Sequence, residues 1–253
     1  MDLGLNERVY VVTGGSRGLG RATAQVLVDE GARVVVSSRS TDAVTTAAAE
    51  LGGPTQATGV AADLADPATP DRLAGAALSS FGRLDGALIS VGGPPATSAT
   101  AATDEQWRAA FESVFLGALR LATTLADRLA DGGSIAFVLS SSVRSPISGL
   151  AISNGLRPGL AMAAKTLSDE LGPRGIRVNG LLPGRIATDR LKELDAKSGD
   201  PEEARRRGEA IIPLRRYGEP AELGRAAAFL LSPAASYITG VMLQVDGGAL
   251  RCL

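Results

Sequence analysis

The chain contains no histidine and only one cysteine in 253 residues. That shortage excludes a Cys/His zinc site and any histidine-based triad. Cys252 has no second thiol to pair with, so no internal disulfide forms and a reducing compartment is compatible. Aromatic residues are few, with five Phe, three Tyr and one Trp, so the core has to be packed mainly from Ala, Val and Leu. Neither sign of charge is in excess. The 26 basic and 27 acidic side chains leave a net charge of −1, which gives no electrostatic footing for nucleic acid or an anionic membrane and points to small molecules as partners. No segment reaches the ~18 uninterrupted apolar residues of a membrane span. The opening "MDLGLNERVYVVTGG" has acidic residues and no long apolar stretch, so a cytoplasmic protein is expected.

What is present is a large apolar content, 45% of residues, together with 31 glycines. Nothing resembles a linker, so residues 1–253 are expected to form one domain. Seven short β-branched runs, at 8–14, 33–38, 58–63, 86–91, 134–140, 176–182 and 241–246, alternate with helical patterns near 18–30, 41–51, 68–81, 104–130, 150–172 and 220–231. Most of the runs are apolar on both faces, as in parallel strands covered by helices on either side. The expected fold is α/β, a single-domain Rossmann-type doubly wound parallel sheet of about seven strands. In the first helix Leu19, Ala22, Val26 and Leu27 are expected on one face, with Gly31 as the stop. The charge-rich stretch 188–217 reads either as a mobile, partly helical flap over the substrate site or as a solvated surface excursion.

Directly after the first strand comes "TGGSRGLG", opening a helix. Gly14, Gly18 and Gly20 allow a sharp turn and a close approach of backbone to a pyrophosphate facing the helix N-terminus. With Ser16, Arg17 and Leu19 they make a candidate dinucleotide site. At the end of the second strand, where a carboxylate would bind the adenosine ribose, the chain has Ser38 followed by Arg39. Arg17 and Arg39 can clamp a 2′-phosphate, which favours NADP(H) over NAD(H). Asp63, followed by Leu64, can accept from the adenine amino group or simply begin a turn. No metal ligand set stands out.

The motifs "TGGSRGLG" (13–20), "DL" (63–64), "ELGPRGIRVNGLLPGRIAT" (170–188) and "LLSPAASYITGVMLQVDGG" (230–248) span nearly the whole chain. They resemble the short-chain dehydrogenase/reductase family, in the branch that includes the 3-oxoacyl-carrier-protein reductases. The resemblance implies hydride transfer between a nicotinamide and a carbonyl or alcohol carbon. It also implies that Pro183, Gly184, Ile186 and Thr188 border the nicotinamide, and that Ser90 and Gly92 lie at the cofactor after the fourth strand.

The family's proton donor is a Tyr, with a Lys four residues later, a Ser thirteen residues earlier and an Asn on the preceding helix. Set in register on Glu170, the lysine position holds Arg157, the tyrosine position Ser153 and the serine position Ser140, with Ser141 and Ser142 beside it. Val114 fills the asparagine position, and Ile89-Ser90-Val91-Gly92 stands where the family has Asn-Asn-Ala-Gly. Neither Tyr10, Tyr217 nor Tyr237 has a Lys four residues on, and Lys165 is ~120° around the helix from Ser153. A serine is a far weaker acid than tyrosine (pKa ~10), and arginine does not titrate near neutrality, though its planar fork can hold ribose hydroxyls or an anion. Ser140, Ser153 and Arg157 are the candidate catalytic residues.

Three functions follow as alternatives: an NADP(H)-dependent oxidoreductase with an unusual proton route, a dehydratase or isomerase on the same scaffold, and an NADP(H)-binding regulatory protein. Arg144, Arg157, Arg185 and Arg190 should edge the cleft and would suit an anionic or carrier-bound substrate, or else are solvated. Trp107 reads as a helix-packing anchor. The resemblance further implies a homo-oligomer, tetramer or dimer, through helices 104–130 and 150–172. Leu116, Leu119, Leu160, Ala164 and Leu167 either face the partner or pack within one subunit.

Overall fold

Seven parallel strands form one sheet in the order β3-β2-β1-β4-β5-β6-β7. The computed structural model describes residues 2–196 and 199–252; Met1, Lys197, Ser198 and Leu253, which fall in the expected domain and flap, lie outside the described residues. The strands are β1 (Val9–Thr13), β2 (Arg33–Ser38), β3 (Ala57–Ala61), β4 (Gly86–Ser90), β5 (Ser134–Val138), β6 (Arg177–Pro183) and β7 (Met242–Val245). All seven expected runs are strands, and the sheet is covered on both faces, so the central strands are apolar on both sides while the edge strands β3 and β7 are less buried. Val9, Val11, Val35, Ala87, Ile89, Ile135 and Phe137 point to one layer, made by α3 (Thr69–Phe81), α5 (Gly117–Arg128) and α6 (Ala151–Leu171). Their neighbours Tyr10, Val12, Val34, Val36, Leu88, Ala136 and Val138 point to the other, made by α1 (Gly18–Asp29), α2 (Thr41–Glu50) and α9 (Pro220–Leu231). Period-two alternation thus feeds two cores from one set of strands.

The buried face of α1 is rotated from the expected one. Gly20, Thr23, Ala24, Leu27 and Val28 are buried, while Leu19, Ala22 and Val26 are half-buried. Leu19 and Val26 still pack against the core, and the backbone of Ala22 runs close to Gly224 of α9. The helix divides its small residues between the sheet and α9, so no single stripe carries the packing.

Residues 104–128 form one continuous rod, α4 (Asp104–Ala110), a π-helical turn (Phe111–Leu116) and α5. By length and composition Asp104–Arg128 could cross a membrane. Here Ala118, Leu121, Ala122, Leu125 and Ala126 fill the core against β4 and α3. Leu160, Ala164 and Leu167 likewise lie in the subunit's own core, which settles their role as internal packing. The large apolar side chains exposed on these helices are Phe111 and Met162. Residues 188–217 contain two helices, α7 (Asp189–Ala196) and α8 (Pro201–Ile211).

Candidate cofactor and active site

The strand order reverses between β1 and β4, and the crevice above that switch is where this topology binds ligands. The two strand ends are locked together there: Thr13 Oγ1 donates to the Ser90 carbonyl at 2.9 Å and accepts from the Ser90 amide at 2.8 Å. Gly14 follows with φ +60°, a left-handed conformation that costs glycine nothing, and its exposed backbone faces the crevice. A Cβ on Gly20 would lie 2.4 Å from the Gly14 carbonyl oxygen, so the loop closes on α1 only because glycine is there. Arg17, the residue before α1, supplies no capping side chain, and the first turn holds no acid. In α2, α4 and α8 the equivalent donors are taken by Ser40, Thr103 and Asp200. The open amides of α1 and its positive dipole end suit a pyrophosphate. On this count a dinucleotide fits the residues present.

The amide of Gly15 donates to the Ser37 carbonyl at 2.9 Å, which lays the loop on the end of β2. Arg17 and Arg39 each stand two residues from that contact, both exposed and without an ion-pair partner among the described residues. Ser38 donates to the Ser40 carbonyl at 3.2 Å. Asp63 makes a turn, accepting from the Ala65 amide at 3.0 Å. Half-buried Leu64 packs against the core, its carbonyl beside Gly117. Ser16 and Leu19 are half-buried at the loop. Across the crevice Thr188 comes close to Gly18, its Cγ2 3.8 Å from where a Cβ there would be. Its hydroxyl oxygen accepts from the Leu191 amide, capping α7. Buried Ile186 is bridged to Gly218, and Gly184 donates to the Val245 carbonyl at 3.0 Å, which anchors the loop after β6.

Arg157 and Ser153 lie one turn apart on α6, both buried. The guanidinium of Arg157 reaches the ends of the neighbouring strands, Nη1 donating to the Val138 carbonyl at 2.5 Å and Nη2 to that of Val91 at 3.4 Å. Nε has no partner. Burial pushes its pKa down to about 10, which leaves it a cation at neutral pH. The hydroxyl 3.4 Å from Ser153 Oγ belongs to Ser142, not Ser140. Ser140 Oγ instead accepts from the Ser142 amide at 3.1 Å, starting the short 3₁₀ turn that turns Ser142 toward α6. Val114 is buried within the π-helical turn, so that position offers an apolar side chain where the family pattern has asparagine. Gly92, past β4, is exposed at the crevice mouth.

The other cleft arginines divide. Arg190 of α7 donates to the Pro94 carbonyl at 2.9 Å, so α7 is tied to the loop after β4 across the mouth. Arg185 pairs with buried Asp195 at 3.0 Å and donates to the Tyr217 hydroxyl at 3.2 Å, and that hydroxyl donates to Asp195 at 3.1 Å. Arg185 thus holds α7 to the 217 loop. Burial, ahead of the charges around it, raises the Tyr217 pKa. Arg144 is exposed, and its side chain has no ion-pair partner among the described residues. Trp107 packs its ring edge on Gly155 of α6, as a helix anchor would.

Residues 14–249 match a family model described as enoyl-(acyl carrier protein) reductase. The chain belongs to the short-chain dehydrogenase/reductase family. It is 36% identical to an uncharacterised oxidoreductase of Mycobacterium tuberculosis over 248 residues, 96% of this chain and 92% of that protein. A short-chain dehydrogenase/reductase from Brucella melitensis superposes with a TM-score of 0.93 at 28% identity, covering 100% of both chains. The L-sorbose reductase of Gluconobacter frateurii, solved with NADPH and L-sorbose, superposes with a TM-score of 0.92 at 33% identity, also covering 100% of both. Membership of this family makes the protein an oxidoreductase acting on a carbonyl or alcohol. Two features escaped the sequence reading. Ser142 sits in a run of identical serines where only the turn geometry distinguishes partners, and the Arg185–Asp195–Tyr217 contact joins residues from three separate segments.

Proposed function

We propose that the protein is an NADP(H)-dependent short-chain reductase or dehydrogenase of a small carbonyl or alcohol, working with Ser153 and Arg157 where the family pattern has Tyr and Lys. What supports the cofactor reading is the pair Arg17 and Arg39, both exposed and without an ion-pair partner among the described residues, each two residues from the Gly15–Ser37 contact, with no carboxylate on the end of β2. A 2′-phosphate would satisfy both guanidiniums, whereas a bare ribose would leave them with nothing to bind. The NADPH complex of the sorbose reductase supports the same choice.

Bound, the dinucleotide supplies or accepts the hydride. The protein's part is positional: the hydroxyls of Ser142 and Ser153, 3.4 Å apart, orient a carbonyl oxygen. Ser140 fixes that pair from behind through the Ser142 amide. None of these hydroxyls is acidic enough to serve as the proton source, so water held by them delivers it. Arg157 braces β4 and β5 and its donors face carbonyls, and Arg185 is spent on Asp195. Among the described residues Arg144 is the one cleft arginine without an ion pair or a carbonyl partner for its side chain, so a neutral polar substrate fits the cleft better than a multiply charged one. Copies of the chain are proposed to assemble through α4, α5 and α6, where Phe111 and Met162 are exposed.

Calorimetric titration tests the cofactor: NADPH should bind at least tenfold more tightly than NADH, and Arg39→Ala should erase most of that difference. Equal binding of the two, or an unmoved ratio, refutes the NADP(H) reading. Ser153→Tyr combined with Arg157→Lys should raise ketoreductase turnover, and no gain would favour the regulatory or non-redox alternative.

A further inference from the structure

The loops at the β4 and β5 ends of the crevice carry a single charge between them. Residues 90–103, from the end of β4, and 139–156, from the end of β5 into α6, include one charged side chain, Arg144, in a chain that is 21% charged. Both stretches lie at the C-terminal edge of the sheet, where the ligand crevice opens. They are joined there: the Ala151 amide donates to the Thr97 carbonyl at 3.1 Å, and Thr97 is bridged to Leu150. Arg144 stands two residues beyond Ser142, at the close of the 3₁₀ turn Ser141–Val143, exposed and without an ion-pair partner among the described residues.

The loop that carries Arg144 is pinned. Asn154, half-buried and next to Ser153, grips the main chain of Ile147 from both sides. Its Oδ1 accepts from the Ile147 amide at 3.0 Å, and its Nδ2 donates to the Ile147 carbonyl at 2.9 Å. A side-chain amide used in this way stands in for a neighbouring strand and satisfies backbone groups that no regular structure would meet. Gly149 then turns the chain toward α6 with φ +73°. Three residues separate Arg144 from the pinned Ile147, and the pin comes from the same turn of α6 that presents Ser153. The guanidinium and the Ser142–Ser153 hydroxyls therefore belong to one connected unit.

We propose that Arg144 is a specificity-determining residue that takes the carboxylate of a singly charged oxo acid, and that Asn154 is the residue that positions it. This assignment rests on the oxidoreductase reading above and names the substrate class of the same site. The substrate carbonyl lies on the hydroxyls of Ser142 and Ser153, and the carboxylate meets Arg144. A guanidinium fork gives a carboxylate two parallel charge-assisted hydrogen bonds, and loops free of other charges leave that pairing without a competitor. Arg157, Arg185 and Arg190 do not share the task, because their donors are engaged by Val138 and Val91, by Asp195, and by Pro94. One cation matches one carboxylate, and a second negative charge on the substrate would go unpaired.

Calorimetry on protein saturated with NADP+ reads this preference without turnover, because an oxo acid and an oxidised cofactor form a dead-end pair. Acetoacetate and levulinate are each titrated against their methyl esters, which keep the carbonyl and lack the charge. At least one acid should bind more tightly than its ester by on the order of tenfold or more, as expected for a charge-assisted pair. Arg144→Ala should bring that ratio toward one, and Arg144→Lys should keep part of it. Asn154→Ala should lower the ratio severalfold and, in turnover with NADPH, should raise KM for the acid more than it lowers kcat, a split that a loss of folded protein does not produce. Because acid and ester are titrated into one preparation, a reduced folded fraction cancels from the ratio. Equal affinities in the wild type, binding of neither, or a ratio unmoved by Arg144→Ala overturns the carboxylate assignment while leaving the cofactor reading intact. A ratio and a KM unmoved by Asn154→Ala overturn its positioning role. Failure of NADP+ to bind overturns the cofactor reading, and a preferred acid that never oxidises NADPH overturns the oxidoreductase reading but not the carboxylate site.

Discussion

Each end of the sheet buries an arginine, and the two ends treat it in opposite ways. At the N-terminal edge Arg177 donates to the carbonyls of Leu230, Leu231 and Ser232, which close α9. The negative end of a helix dipole thus adds to three hydrogen bonds. Buried Asp85 lines the same small cavity and accepts from the Val9 amide at 2.9 Å, from Arg83 at 2.7 and 2.8 Å and from Arg8 at 3.2 Å. At the C-terminal edge Arg157 has two strand carbonyls and an unmet donor. One end is satisfied and holds the fold together. The other leaves polar groups unspent where a ligand arrives, as functional sites do.

The largest effect should come from attacking the satisfied end. Asp85→Ala removes a buried carboxylate that holds the start of β1 and two guanidiniums, and should cost about 3 kcal/mol of stability in urea unfolding. Dinucleotide affinity of the folded fraction should not move, because the crevice is at the other edge. A loss of binding equal to the loss of stability would erase the distinction between the two ends.

A smaller and more discriminating effect separates the arginines themselves. Arg177→Met strips the Leu230 and Ser232 carbonyls of their guanidinium donor, while that of Leu231 still accepts from the Ser134 and Tyr10 hydroxyls, and should cost about 2–3 kcal/mol. Arg157→Met loses two bonds, one of them long, but also removes a charge buried without a counterion, and should change stability by no more than about 1 kcal/mol. Denaturation midpoints of the two variants, compared at equal slope, decide the point. Similar costs would mean that Arg157 is as structural as Arg177.

The same contrast marks how far the sequence could be read. The strands, the six principal helices and the glycine loop follow from periodicity and spacing, because burial on both faces leaves an unbroken apolar run and a phosphate turn needs glycine at fixed places. The identities of Ser153 and Arg157 were also legible by counting from Glu170. Their contacts were not. Nothing in "ISNGLR" says that the arginine fork turns toward Val138 and Val91, since rotamer choice depends on which carbonyls the strand ends leave open. The rotated face of α1 and the π-helical turn at Phe111–Leu116 were missed for a related reason. Hydrophobic spacing reports that a helix has a buried side, but close packing against a second helix, here α9 against α1, decides which side that is.

The smallest effect concerns what steadies the C-terminal edge in place of buried pairs. Arg216 grips Glu222 with two bonds of 2.7 Å, and Glu222 also accepts from the Glu219 amide at 2.7 Å, so the loop bridged to Ile186 is fastened to the start of α9 from the outside. Hydrogen bonding from Arg216 holds the Glu222 pKa down to about 2, below its ordinary 4.5. A carboxylate with a depressed folded pKa contributes stability that is complete above the ordinary value and is lost as pH falls from 4.5 through 2. Glu222→Gln should therefore lower Tm slightly at pH 7 and flatten its decline between those limits, so that the two proteins converge at the acid end. The effect is modest because both side chains are solvated and screened. Parallel Tm profiles over that range would show that the pair does not hold the edge, and that its order comes from the Arg185–Asp195–Tyr217 contact instead.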